Sequence, residues 1–219
     1  MALRVLISDF GGVLTTPLLH SFMAFQDRTG ISGELLGKAM QRIYERDGEH
    51  PLYELEKGHV SEDEFLTTLR SELAVEMGHE PEMHGFKEIY FEALHPNDSM
   101  IELMREVKAS GRRMALLTNN VREWEPLWRS MLPVDEIFEL VVDSAFVAMR
   151  KPEPEIYTLT LERLRELDAG ALGDLTYGEC AFIDDIEVNC VAARELGMHA
   201  VHFRDNDQAL AEARELLDL

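Results

Sequence analysis

Three polar stretches stand out because each follows directly on a short apolar run: Ser8-Asp9 after residues 3–7, Thr118-Asn119 after 114–117, and Asp184-Asp185 after 180–183. Runs of four or five apolar residues bounded in this way read as buried strands, and a buried strand has no structural need to end in a carboxylate. If the strands are parallel neighbours, their carboxyl ends meet in one crevice, which is where open α/β sheets bind ligands. Carboxylates brought together there raise one another's pKa unless a hard cation with a preference for oxygen lies among them, and Mg²⁺ is the natural occupant. With Mg²⁺ polarising a phosphoryl oxygen and Lys151 adding positive charge, an ionised Asp9 could attack phosphorus and form an aspartyl-phosphate that water then cleaves. Thr118 and Asn119 would hold the equatorial oxygens as charge develops on them.

The elements that must position these residues follow from periodicity. Residues 140–142 and 200–203 are two further apolar runs, and helical spacing fills the gaps at 99–109, 156–167, 186–196 and 208–217, with Asp98 as the expected cap of the first. Strands alternating with helices predict a doubly wound parallel sheet. The stretch from 17 to 95 breaks the rhythm: it holds helical patterns at 18–27, 34–46, 65–77 and 86–94 and no convincing strand. Gly30 and Gly48 lie near helix ends, and Ser61-Glu62-Asp63-Glu64 forms a capping box. The expectation is an α/β core made of residues 1–16 and 96–219, with a helical cap domain at 17–95 packed on it.

Taken in order, Asp9-Phe10-Gly11-Gly12-Val13-Leu14-Thr15, Thr118-Asn119-Asn120, Lys151-Pro152 and Ile183-Asp184-Asp185 with Asn189 resemble the four motifs of the haloacid dehalogenase superfamily. The likeness covers essentially the whole chain, since many members carry a helical cap between the first two motifs. It is greatest to the group that includes the phosphatase-like N-terminal domain of soluble epoxide hydrolase. The resemblance implies a Rossmann-like core with Asp9 as nucleophile and Mg²⁺ ligand. It also implies the Gly11 carbonyl and Asp185 as further ligands, with Asp184 assisting directly or through water. Lys151 would neutralise Asp9 and the phosphate, Thr118, Asn119 and Gly12 would bind the phosphate, and Asn189 would support the acidic pair.

One departure bears on the chemistry. Phosphatases of this superfamily usually carry a second Asp two residues after the nucleophile as general acid and base, and Gly11 stands there. General acid catalysis is worth ~10²–10⁴-fold, so acyl or aryl phosphates would suffer least from its loss. Halide displacement by Asp9 from a 2-haloacid, without metal, is the rival enzyme reading. A regulatory protein that binds phosphate without useful turnover is the third. The adjacent acids Asp184 and Asp185 favour the metal-dependent phosphatase acting on a small phosphorylated metabolite. Asp9-Phe10-Gly11 also spells the magnesium-binding tripeptide of protein kinases, but eight preceding residues cannot supply a nucleotide-binding lobe.

Composition narrows the field further. Forty-two acidic against 21 basic residues give a formal charge of −21, which excludes a polyanion-binding face, so no nucleic acid is expected as partner. No apolar run approaches a membrane span. The opening run, without a small-residue cleavage site, reads as a strand and not as a signal peptide, so a cytoplasmic location is expected, as monomer or homodimer. Cys180 and Cys190, without metal or redox spacing, are expected as buried thiols. Arg42, Tyr44, Arg46 and Trp124 could shape a pocket closed by the cap, with a solvated helix face as the alternative for the two arginines. Trp124 and Trp128 are expected to pack against the core or a partner, and His20, His50 and His59 carry no assigned role.

Overall fold

The computed structural model describes residues 2–83 and 85–219. In chain order the elements are β1 (Val5–Ser8), α1 (Leu19–Thr29), α2 (Gly33–Asp47), α3 (Pro51–Glu56), α4 (Glu62–Met77), α5 (Phe86–Glu92), α6 (Asp98–Ala109) and β2 (Arg113–Thr118). There follow α7 (Glu125–Met131), α8 (Val134–Ile137), β3 (Leu140–Asp143), α9 (Ser144–Val147), α10 (Pro154–Leu167), α11 (Ala169–Leu172), β4 (Cys180–Asp184), α12 (Glu187–Glu195), β5 (His199–His202) and α13 (Asn206–Leu217). The five strands form one parallel sheet in the order β3-β2-β1-β4-β5. Strand order reverses at β1, so the crevice between β1 and β4 is the topological switch point.

Alternation along the strands divides the core between the two faces of the sheet. Val5, Ile7, Ala115, Leu117 and Phe182 face one way and pack with Ile156, Tyr157 and Cys190 of α10 and α12. Leu6, Met114, Leu116, Ala181 and Ile183 face the other way, against α6 and α13, in a cluster that runs on without a break into the helices α1 to α5. Both cysteines are buried and free.

The helices inserted between β1 and α6 begin and end where sequence chemistry directs. Gly30, Gly48 and Gly78 close α1, α2 and α4 in the left-handed conformation, and Ser61 with Glu64 forms the full capping box of α4. The short helix α3, opened by Pro51, was not expected from periodicity. The chain leaves and re-enters the core through paired segments: Thr15 bridges Pro96, Thr16 N–H donates to the His95 carbonyl at 2.8 Å, and Asn97 N–H donates to the Leu14 carbonyl at 2.9 Å. Asp98 does not cap α6 as expected, because the helix already includes it. The preceding Asn97 spends its amide on the Val13 carbonyl (2.9 Å) and on Asn206, tying the two segments together.

Candidate functional site

The carboxyl ends of β1, β2 and β4 place Asp9, Thr118 and Asp184 side by side, as parallel pairing requires; Ser8 stands opposite Leu116 on one side and Ile183 on the other. Lys151, in the loop before α10, reaches under this row and is only 1% exposed. Its ammonium lies 2.7 Å from Asp9 Oδ1 and 2.6 Å from Asp184 Oδ2. Burial alone would lower the Lys151 pKa, but Asp184 and Asp9 raise it above the ordinary lysine value, so the side chain stays charged.

Asp184 has both oxygens committed. Oδ2 takes the lysine, while Oδ1 accepts from Ile186 N–H (2.8 Å) and from the Asn189 amide (3.0 Å). Asn189 is itself steadied by the Tyr157 hydroxyl, which donates to its carbonyl at 3.0 Å. Asp185 is the freer of the acidic pair. Its carboxylate lies against Gly12, whose φ of 77° and missing side chain admit it; a Cβ at Gly12 would fall on the carboxylate. His202, at the end of β5, contacts the Asp185 carbonyl through Nε2 at 3.1 Å, a support that the sequence did not announce.

One carboxylate oxygen from each of Asp9, Asp184 and Asp185 lies within 4.8 Å of the others. Burial pushes the Asp9 carboxyl up to about 8, Lys151 opposes the rise, and Asp184 and Asp185 add to it. Burial and then Asp184 push Asp185 up to about 6. Such crowding of hard oxygen donors is the environment that a bound divalent cation relieves, and the donor set fits Mg²⁺. Because the Asp184 oxygens are already engaged, Asp9 and Asp185 are the carboxylates free to ligate directly.

Two residues expected to hold phosphate are otherwise engaged. The Asn119 side chain clamps the Lys151 backbone, accepting from its N–H at 2.9 Å and donating to its carbonyl at 3.0 Å. The Gly12 N–H donates to Thr15 Oγ1 at 3.1 Å. Asn119 thus holds the Lys151 backbone, and Gly12 makes room for Asp185. The Thr118 hydroxyl makes no hydrogen bond among the described residues, and Thr118 lines the cavity described next.

A cavity of about 290 Å³ opens over Asp9, between the sheet and the inserted helices. Its floor is Asp9, Thr118, Asn119 and Asp185; its walls are almost wholly apolar, including Leu18, Phe22, Phe86, Phe91, Trp124 and Trp128. Trp124 is the centre of an aromatic cluster, with Tyr90 at 4.8 Å, Phe91 at 5.4 Å and Phe86 at 5.9 Å between ring centroids. Both tryptophans are buried in the core, as expected, and both also face this space; Trp124 ends a 3₁₀ turn that leads into α7.

Two polar side chains enter the cavity from the inserted helices, and the sequence singled out neither. Glu56 accepts from Arg150 Nε at 2.7 Å, and the Arg150 guanidinium lies 3.8 Å from the Tyr53 ring centroid. Tyr90 is the other. Arg42 and Arg46 instead pair with Glu72, Glu76 and Asp47 on the outer face of α2, which leaves them to the solvated face, and Tyr44 is half exposed. None of His20, His50 and His59 lines the cavity.

Comparison with known proteins agrees with this geometry. The chain is 26% identical over 231 residues to bifunctional epoxide hydrolase 2 of Rattus norvegicus, covering 99% of this chain and spanning only 39% of that relative's length. It is 25% identical over 223 residues to a sesquiterpene phosphatase of Aspergillus oryzae, covering 98% of this chain and 96% of the other. Its fold matches that of a HAD-family enzyme of Bacteroides thetaiotaomicron solved with magnesium and inorganic phosphate, with a TM-score of 0.61 and 24% identity over 93% of this chain and 95% of that one. Among the described residues no helix is long and apolar enough to cross a membrane. The haloacid dehalogenase-like hydrolase family model matches residues 3–197, including every one of the four motifs, and the chain belongs to that family.

Proposed function

We propose that the chain is a Mg²⁺-dependent phosphatase that acts on a small phosphorylated metabolite through an aspartyl-phosphate on Asp9, with residues 17–95 as the cap that closes the site. The observation that carries this reading is the row of Asp9, Lys151 and Asp184, in which one ammonium faces two carboxylates, with Asp185 left free beside it as a third. A lysine held between two carboxylates orients Asp9 and opposes the burial that raises it, and a bound cation would add to that bias toward the ionised form which a nucleophile requires.

Asp9, the Gly11 carbonyl and Asp185 would hold the ion, with Asp184 assisting through water. When bound, Mg²⁺ supplies positive charge to a phosphoryl oxygen and to Asp9. The Thr118 hydroxyl is free to donate to a second phosphoryl oxygen, the Lys151 ammonium neutralises a third, and Asn119 fixes the lysine backbone while doing so. Asp9 Oδ2, which does not take the lysine, then faces phosphorus.

The test is hydrolysis of a panel of phosphate esters by wild type and Asp9→Asn, each with Mg²⁺ and with chelator. Turnover lost in both controls supports the reading. Gly11 favours one rival, displacement of halide by Asp9; activity on 2-haloacids that survives chelation would establish that instead. Ligand binding without Asp9-dependent turnover would identify a phosphate-binding regulator.

A further inference from the structure

Where the superfamily's phosphatases usually carry a second Asp this protein has Gly11, and Leu18 packs over it: a Cβ built on Gly11 would lie 3.1 Å from Leu18 Cδ2 and 3.3 Å from Leu18 Cδ1, so a side chain there would require the leucine to give by a few tenths of an ångström. The inserted helices send two polar groups into the cavity, and neither occupies the place of the second Asp. Burial raises the Glu56 carboxyl, while Arg150 opposes the rise and takes one of its oxygens at 2.7 Å. Tyr90 holds its proton more tightly than an ordinary tyrosine, because of burial and then the charges of Asp9, Glu56 and Asp185. Apart from Glu56, Tyr90 and the indole N–H groups of Trp124 and Trp128, the walls above the polar floor are hydrocarbon and aromatic faces, so most hydroxyls of a bound sugar would lose their hydrogen bonds.

We propose that the substrate is a small phosphorylated apolar group whose oxygen leaves as a stable anion, an aryl phosphate or an apolar acyl phosphate. The proposal rests on the phosphoryl-transfer reading above and names its substrate class. A cavity of about 290 Å³ is close to the lower end of small-molecule sites, which suits a compact apolar group beside the phosphoryl group on the floor. The aromatic cluster around Trp124 favours flat rings edge-on or offset.

The chemistry balances without an acid. Asp9 Oδ2 bonds to phosphorus as the ester or anhydride P–O bond breaks, and that bond's electron pair departs on a phenolate or a carboxylate, neither of which needs a proton to leave. Water then attacks phosphorus, its oxygen and hydrogens leave as dihydrogen phosphate, and the Asp9 carboxylate is restored.

The experiment measures kcat/KM with Mg²⁺ for naphthyl phosphate, benzoyl phosphate, decyl phosphate and glucose 6-phosphate, with Asp9→Asn as the blank for each. The expected result is that the naphthyl and benzoyl compounds exceed decyl phosphate by ~10²-fold or more, the loss that an absent general acid predicts. The sugar phosphate should not rise above the blank. Decyl phosphate within tenfold of naphthyl phosphate overturns the leaving-group half, and comparable turnover of glucose 6-phosphate overturns the apolar half; both outcomes leave the phosphatase reading standing. No Asp9-dependent turnover of any compound removes that reading and the proposal with it. The double substitution of Gly11→Asp with Leu18→Ala should narrow the gap between decyl and naphthyl phosphates. An unchanged gap in a variant that still turns over the aryl ester would show that the acid's absence does not set it.

Discussion

Gly12 and Asp185 share one volume of space: the backbone of Gly12 turns through φ 77°, and the carboxylate of Asp185 lies where its side chain would be. The loop that carries the fourth motif is thus seated on the loop that carries the first. Gly12→Ala should push Asp185 aside and also strain the turn, at a cost on the order of 1–3 kcal/mol. Calorimetric titration with Mg²⁺ is expected to find at least a tenfold loss of affinity, and an unchanged affinity would show that Asp185 is not a ligand.

Asn119 is expected to act through Lys151. Asn119→Ala removes both hydrogen bonds to the Lys151 backbone while leaving the ammonium its two carboxylates, so the cost in stability should be about 1–2 kcal/mol. Turnover should fall by roughly ten- to a hundredfold, with a smaller change in KM, since the loss is in aim and not in substrate contact. A rise in KM with kcat intact would return Asn119 to direct phosphate binding.

Metal binding should depend on pH with a definite sign. Asp185, up to about 6, and Asp9, up to about 8, must both be ionised to ligate, so protons compete with Mg²⁺ and its affinity rises as pH climbs through 6 to 8. In chelator the opposite slope is expected. Both folded-state values lie above the unfolded ones, so the folded protein binds protons more tightly, and stability declines as pH rises through the same window. Melting curves with Mg²⁺ and with chelator across this range should therefore diverge upward in pH; parallel curves would dissociate the carboxylates from the ion.

Asp143, at the end of β3, offers a control outside the ligand set. Burial pushes it up to about 6; Oδ1 caps Ala145 N–H at 3.0 Å, while Oδ2 is buried without a partner. A raised folded-state value means that protonation stabilises the fold, so this group's contribution is present below its unfolded pKa and is lost as pH rises through about 6. Asp143→Asn keeps the cap and removes the charge, and should be more stable than wild type near neutral pH by on the order of 1–3 kcal/mol, with no advantage at acid pH. Equilibrium unfolding in urea at the two pH values checks it.

The sheet and its catalytic edge were legible because each strand is a short apolar run with a polar residue at its end, and parallel pairing leaves few ways to arrange such runs. Asp9, Thr118, Lys151 and Asp184 come together for that reason. Glu56 and Tyr90 were not legible: each sits in a short helix, and only the way the inserted helices lie over β1 brings them to the cavity above Asp9. The short helix α3 escaped because six residues opened by Pro51 are too few to show a period. The part played by Leu18 was hidden for a related reason, since a leucine at a helix start says nothing about the glycine seven positions earlier that it covers. The hydrogen bonds of Asn119 to the Lys151 backbone and of Gly12 to Thr15 were not legible, because the choice among nearby groups is decided by distances finer than sequence spacing conveys.

The chain has two tryptophans, Trp124 and Trp128, and both look into the cavity above Asp9. The protein therefore carries its own optical reporter: all of its indole emission originates at the walls of the chamber, with Tyr90 close enough to pass excitation to Trp124. Filling or emptying the chamber, or lifting the cap from it, should register in the colour and intensity of that emission without any label being attached.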